Sequence, residues 1–273
     1  MDLEQIEQHW KNWAEKFDTD IRATTKTETI KKLEVAALHR AFKKTPFISQ
    51  KECHVLEVGC GNGHNCFRLF DLMPDCSFTG VDFIPEMIKN ATKIKIKNKE
   101  YSNIDFFIGN ALTLDENKNL KEYYDIVFTD RCLINLNTVE LQINALEQLY
   151  KKTKKGGYII IIENINETYN NQNTLRKSVG LPERTPDKFN LFISDSVLLE
   201  YAKKNLTLID IDDFSSLHDI ILYVLTPMLN NGSVDYDSPM VLAATQLLLS
   251  IKDNSNRDFG KFGQNRLYIF QKA

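Results

Sequence analysis

The sequence predicts an α/β chain built on a doubly wound parallel sheet. Three observations carry that prediction. Short apolar runs recur between helical stretches, as in His54–Val58, Phe78–Asp82, Ile104–Ile108, Asp125–Asp130 and Tyr158–Glu163. These runs are near-continuously hydrophobic, as strands covered on both faces must be. The first run leads straight into Gly59-Cys60-Gly61-Asn62-Gly63, and the second ends on a carboxylate, Asp82. A strand, a glycine turn, a helix and a second strand with an acidic tip form a nucleotide-binding βαβ unit.

Taken in order, Leu3 to Phe17 places Ile6, Trp10, Trp13 and Phe17 at three- and four-residue steps. That spacing predicts an amphipathic helix with an aromatic face. Ordinary packing explains such a face; a lid, with Trp10 and Trp13 lining a substrate pocket, is the functional reading. Asp18 to Thr27 breaks the helix, and Arg22 to Thr27 crowds hydroxyl and cationic groups together, suited to folding over an anionic group. A second helix is expected from Glu28 to Phe42, turning Ile30, Leu33, Ala36, Ala37 and Leu38 inward and ending before Pro46. Residues 1–49 thus read as a helical cap or lid, and 50–273 as the core.

In the core, helices are expected over His64–Leu72, from Pro85 to about Ile94, and from Thr138 to Tyr150. Pro85 suits a first helical turn. Residues 164–193 are polar and Asn-rich, with Pro182 and Pro186, and read as a long insertion. Ser194 caps a helix running to Lys204, followed by a strand at Leu206–Asp212. A second insertion, 213–263, holds helix candidates at Ile220–Leu229 and Met240–Ile251, before a last strand at Arg266–Phe270.

Bulk properties bound the function. The chain has 273 residues and a formal net charge of -3, which gives no general attraction to nucleic acid or an anionic membrane. It opens Met1-Asp2-Leu3-Glu4, unlike a secretory leader, and no apolar run is long enough to span a bilayer. Cys53, Cys60, Cys66, Cys76 and Cys132 form no Cys-x-x-Cys pair, and the histidines are scattered. These features predict reduced thiols, a cytoplasmic location and no metal.

Glu57 stands just before the glycine turn, where it would repel a pyrophosphate and attract a cationic ligand. The spacing is Gly-x-Gly-x-Gly, not the Gly-x-Gly-x-x-Gly of dinucleotide sites. Glu57-Val58-Gly59-Cys60-Gly61-Asn62-Gly63, followed by Thr79-Gly80-Val81-Asp82, resembles the class I S-adenosylmethionine-dependent methyltransferases. The resemblance covers roughly Cys53 to Glu163. It implies a Rossmann-like, seven-stranded, mostly parallel sheet completed by the C-terminal strand. It further implies that S-adenosyl-L-methionine is the cofactor and S-adenosyl-L-homocysteine its product. Gly59, Gly61 and Gly63 would then form the cofactor turn, Glu57 would serve its amino end, and Asp82 its ribose. Phe83, Met87, Asn110 and Ala111 would face adenine, and Thr129 and Asp130 would lie by the methyl group.

Asp130-Arg131 is not the Asn/Asp-Pro-Pro-aromatic signature of amino methylation on bases or glutamine, which disfavours nucleic acid. The stretch Thr129 to Leu136, with Gln142, Glu163-Asn164, Asn173, Arg176 and Gly180-Leu181, resembles a bacterial group of small-molecule methyltransferases. Many of those accompany genes for surface polysaccharide. The implied acceptor is a small molecule, such as a nucleotide- or lipid-linked sugar, methylated on oxygen or nitrogen. A protein or RNA acceptor and a non-catalytic scaffold are the alternatives. A hydroxyl acceptor needs a base, and the candidates are His218, Glu163 and Asp130. Arg22, Arg131 and Arg176 are candidate clamps for an anionic acceptor. No membrane or nucleic-acid partner is expected, and the chain is expected to be a monomer or homodimer.

Overall fold

The computed structural model describes residues 1–49, 52–251 and 258–273. The boundary drawn at 49/50, and residues 252–257 of the second insertion, lie outside the described residues. Seven strands form one sheet in the order β3-β2-β1-β4-β5-β7-β6. They are β1 His54–Val58, β2 Ser77–Asp82, β3 Ile104–Ile108, β4 Tyr124–Asp130, β5 Thr153–Asn164, β6 Leu206–Asp212 and β7 Asn265–Lys272. Pairing is parallel from β3 to β5, and β7 runs antiparallel to both β5 and β6. Val58 pairs with Val81 and Thr129, and Asp130 with Ile162, so the strands that carry the predicted site end on one edge. The strand order reverses between β1 and β4, and open α/β sheets bind their ligands in the crevice beyond such a switch point.

The helices are α1 Leu3–Phe17, α2 Glu28–Lys43, α3 His64–Leu72, α4 Pro85–Lys97, α5 Val139–Lys152, α6 Asn166–Ser178, α7 Asp195–Asn205, α8 Ser216–Ile220, α9 Thr226–Leu229 and α10 Pro239–Ser250. Wider turns at Ile221–Leu225 join α8 to α9 without a break. Their starts follow from side-chain chemistry. Asp2 and Gln5 form a reciprocal cap on α1, and Thr27, Thr138 and Ser194 accept first-turn amides of α2, α5 and α7. Among the described residues no helix is long and apolar enough to cross a membrane.

One apolar layer packs α2, α3 and α10 on the sheet through Leu38, Phe42, Leu69 and Leu248 against Phe128 and Ile160. The opposite layer packs α5 and α7 through Leu146, Leu149 and Leu198 against Val127, Ile159 and Ile161. The two N-terminal helices therefore differ. Helix α2 belongs to a core layer, whereas α1 caps the strand edge, joined to α4 through Ala14, Trp10 and Met87 and by Asn90 Nδ2 donating to the Ala14 carbonyl at 3.0 Å.

Two elements depart from the sequence expectation. Residues 166–178 fold into α6, although the segment reads as irregular. Its inward face is Thr168, Tyr169, Gln172, Asn173 and Arg176, so polarity hid the helical period. Strand β5 starts at Thr153, ahead of Gly156-Gly157.

Phe42→Ala removes a ring that is 1% exposed and packs edge-on against Phe128 at 5.6 Å. The expected loss is about 3–5 kcal/mol in urea unfolding. Trp13→Ala, on the half-buried face of α1, is expected to cost well under that; equal losses would contradict the division between core and cap.

Candidate active site

A cavity of about 410 Å³ opens at the tips of β1, β2 and β4. Its floor is the turn after β1. Gly59, Gly61 and Gly63 have φ of 77°, 53° and 82°, in the left-handed region that disfavours side chains. A Cβ on Gly59 would come within 2.5 Å of Cys132 Sγ, and one on Gly61 within 2.4 Å of Thr24 Cγ2. The turn is thus pressed between the β4 loop and the α1–α2 connection. Asp82 ties it to β2, accepting from Gly61 N at 2.7 Å and from Ile84 N at 2.9 Å.

Glu57 is buried at the floor, accepting from Asn65 Nδ2 at 2.8 Å and from Cys66 Sγ at 3.0 Å. Burial pushes its carboxyl up to about 8. Asp130 at the tip of β4 behaves oppositely. Burial opposes its ionisation, but Lys31 and Arg131 outweigh burial and hold the carboxyl down at about 2. Lys31 is 3% exposed; its Nζ lies 2.6 Å from Asp130 and 2.7 Å from Glu34. Burial works to lower the Lys31 ammonium, and the two carboxylates more than reverse it. Arg131, with φ 55°, reaches Glu34 at 2.8 Å, and Asn265 Nδ2 donates to Glu34 at 2.9 Å. Lys31 and Glu34 had no signal in the sequence beyond their place on α2, where helical charge ordinarily faces water.

Two buried acceptors in this floor, Asn65 Oδ1 and Asp130 Oδ1, have no hydrogen-bond partner. Buried polar atoms are rarely left so. His64 also lines the cavity, and burial, reinforced by Lys31 and Arg68, lowers its imidazole to about 4, leaving it neutral.

The roof is α1 and a strap at residues 184–190. Trp10 and Trp13 line the cavity, and Trp10 Nε1 donates to Asn135 Oδ1 at 3.0 Å. His9 stacks on Phe189 with centroids 4.2 Å apart, and Lys26 pairs with Asp187 at 3.4 Å.

Of the residues read from sequence, the structure gathers Glu57, Gly59, Gly61, Asp82, Phe83, Met87, Asn110, Ala111, Asp130, Arg131, Trp10 and Trp13 around this one cavity. It does not bring six others to the wall. Gly63 caps α3 and meets Phe106 instead. Thr129 turns its hydroxyl to Glu163 at 3.3 Å. Glu163 is wholly buried and accepts the backbone amides of Cys132, Leu133 and Ile134 at 3.0, 2.8 and 3.3 Å, so it holds the β4 loop closed instead of facing a substrate. Burial raises its carboxyl to about 8. His218 is equally buried, its Nδ1 on Asp219 at 2.8 Å and its Nε2 on Thr29 at 3.0 Å, which pins α8 to α2. Both ring nitrogens are occupied away from the cavity. Arg22 is exposed and doubly bonded to Asp20, while its neighbours Thr24, Thr25 and Lys26 line the cavity. Arg176 spends its guanidinium on the Pro182 and Tyr223 carbonyls. The sequence reading missed Asn65, Arg184, Tyr169 and Tyr223, which do line the site or support it.

Comparison with known proteins agrees with this geometry. Residues 49–181 match the family described as a methyltransferase domain. Strand order, the glycine turn and the position of Asp82 agree with that match over these residues. The individual relatives are distant. A malonyl-[acyl-carrier protein] O-methyltransferase of Ilyobacter polytropus is 25% identical over 64% of this chain and 61% of its own length. A ubiquinone/menaquinone biosynthesis C-methyltransferase of Rickettsia felis is 29% identical over 48% of this chain and 54% of its own. The chain thus spans between half and two thirds of these curated relatives. The N-methyltransferase NodS of Bradyrhizobium japonicum, solved with S-adenosyl-L-homocysteine, shares the fold, with a TM-score of 0.55, 14% identity and 98% of each chain covered.

Lys31→Met would leave the buried carboxylates of Asp130 and Glu34 with Arg131 but without the cation that bridges them. The expected cost is about 3–5 kcal/mol at neutral pH. Because the Asp130 carboxyl is held at about 2, against an ordinary 3.8, its contribution is present above that ordinary value and is lost as pH falls through 2. The gap between variant and parent in urea unfolding should therefore narrow in acid; a gap that is constant with pH would contradict the pairing.

Proposed function

We propose that the chain transfers a methyl group from S-adenosylmethionine to an oxygen or nitrogen of a small molecule. The observation that carries this reading is the pair of orphaned acceptors, Asn65 Oδ1 and Asp130 Oδ1, beside buried Glu57. An ammonium brings three donors to these two acceptors and to Glu57. Asp82 has lone pairs left for a ribose diol after its two backbone bonds. Ile84 and Met87 supply an apolar wall for adenine, with Phe83 and Asn110-Ala111 at its edge. The donor set therefore fits the cofactor's amino-acid and nucleoside ends. When bound, that cofactor supplies a sulfonium methyl whose positive charge disappears on transfer.

The chain's own part is alignment and exclusion of water. Helix α1 and the strap close the roof over the floor. His64, lowered to about 4, and Asp130, held at about 2, are not tuned to take a proton near neutrality. Asp130 remains ionised and serves as a hydrogen-bond acceptor. This favours an acceptor atom that needs little help with its proton.

The enclosure supports a small acceptor over a protein or RNA surface, and the open volume supports a working site over a scaffold. Within small molecules, the aromatic faces of Trp10, Trp13 and Phe189 support a sugar-bearing acceptor, nucleotide- or lipid-linked, as in polysaccharide pathways.

Titration calorimetry with S-adenosyl-L-homocysteine tests the reading. Glu57 is held up at about 8, and a neighbouring ammonium lowers it, so binding at pH 7 should release a proton. Affinity should then rise with pH towards 8. The apparent enthalpy should differ between phosphate and Tris buffers, and Glu57→Gln should remove the difference. Absence of binding would overturn the cofactor assignment, and a buffer-independent enthalpy in the parent would overturn the role of Glu57.

A further inference from the structure

We infer that the acceptor carries an anionic oxygen group, a carboxylate or a phosphate, and that Arg184 with Tyr169 holds it. This deepens the methyl-transfer reading and rests on it. Arg184 lines the cavity in the strap that follows α6. Its backbone is clamped by a single side chain: Arg184 N donates to Asn173 Oδ1 at 3.0 Å, and Asn173 Nδ2 donates to the Arg184 carbonyl at 2.9 Å. Its guanidinium carbon lies over Tyr223, 3.5 Å from the ring centroid, and 5.2 Å from the ring centroid of Tyr169. One Nη donates to Gln172 Oε1 at 2.6 Å and the other to Gln264 Oε1 at 3.0 Å. Position and plane of the cation are therefore fixed, and both side-chain oxygens that fix it are neutral.

Charge is what the arrangement lacks. Among the described residues no carboxylate oxygen forms an ion pair with Arg184 or with its neighbour Arg176, which is bonded to the Pro182 and Tyr223 carbonyls. The nearby acids are engaged elsewhere, Asp187 with Lys26 at 3.4 Å and Asp219 with His218 at 2.8 Å. Burial lowers the Arg176 guanidinium, and Arg184 lowers it further, so the two cations strain one another. Beside them the Tyr169 hydroxyl is buried, in a residue 4% exposed on the cavity wall, and has no hydrogen-bond partner. A fixed cation without a counter-ion and a donor without an acceptor, on the same wall, ask for the same thing. An anionic oxygen satisfies both. At the opposite pole the cavity's cations, Lys31 and Arg131, are already paired with Asp130 and Glu34, which leaves Arg184 as the cation with no carboxylate partner on this wall among the described residues.

The test uses the full chain saturated with S-adenosyl-L-homocysteine and three phenyl probes: phenyl phosphate, benzoate and benzamide, the neutral isostere of benzoate. Calorimetry should show at least one anionic probe binding about tenfold or more tighter than benzamide. Arg184→Met should abolish that preference. Tyr169→Phe, which deletes one oxygen and keeps the ring, should weaken the anion by several-fold and leave benzamide unchanged, so that the result does not depend on how well the arginine variant folds. Preference for phenyl phosphate or for benzoate distinguishes the two sources of the charge. Equal affinity of all three probes, no measurable binding of either anion, or a preference that survives in both variants would overturn the inference. Failure of S-adenosyl-L-homocysteine to bind would sink the cofactor assignment instead, and the two failures are distinguishable because that titration comes first.

Discussion

The bridge from Lys31 to Asp130 is the contact on which the site depends. It joins a core helix to the tip of the strand where the cavity floor begins. An isolated Lys at this depth would lose its proton, and an isolated Asp would gain one. Together, with Glu34 and Arg131 completing the set, they stay charged in the interior. Such clusters contribute little net stability and much geometry. Here the geometry is the point. The bridge fixes α2 against the sheet edge, keeps Asp130 anionic, and leaves its Oδ1 with no hydrogen bond and only Arg131 at 3.6 Å.

From that floor the cavity is electrically graded. Acceptors dominate at the tips of β1 and β4, where Glu57, Asn65 and Asp130 meet. Cations dominate beneath the strap, where Arg184 lies on Tyr223. The glycine turn acts sterically. Its left-handed residues let the backbone pass under Thr24 and Cys132 with no space for side chains, so the floor lies low and the ligand approaches the main chain. Glu163 and His218, which strand position and residue type had recommended as bases, turn out to stabilise this frame. One closes the loop after β4 and the other pins α8 to α2.

The legible parts of the sequence were the local ones. Val55 to Gly63 and Thr79 to Asp82 carry strand, turn, cap and carboxylate within about 30 residues, the length of one βαβ unit. The apolar strands and the aromatic face of α1 were equally plain, because burial by apolar side chains leaves a period. What stayed hidden was burial by polar ones. Helix α6 presents Thr168, Gln172, Asn173 and Arg176 to the interior, so its period is invisible to hydropathy. Lys31 and Glu34 read as an exposed helix surface, and only the fold reveals the partners that let them sink. Arg184 lies in an aperiodic stretch between two prolines, where position in sequence says nothing about direction. Glu163 shows the converse limit: a strand tip predicts neighbourhood, while the side chain's direction depends on which amides await it.

The most direct test of the account is a crystal structure of the chain grown with S-adenosyl-L-homocysteine. Density is expected across the tips of β1 and β2, with the amino group on Asn65 and Asp130 beside Glu57 and the ribose hydroxyls on Asp82. Density elsewhere, or a ligand lying there with its amino-acid end away from Asn65 and Asp130, would contradict it.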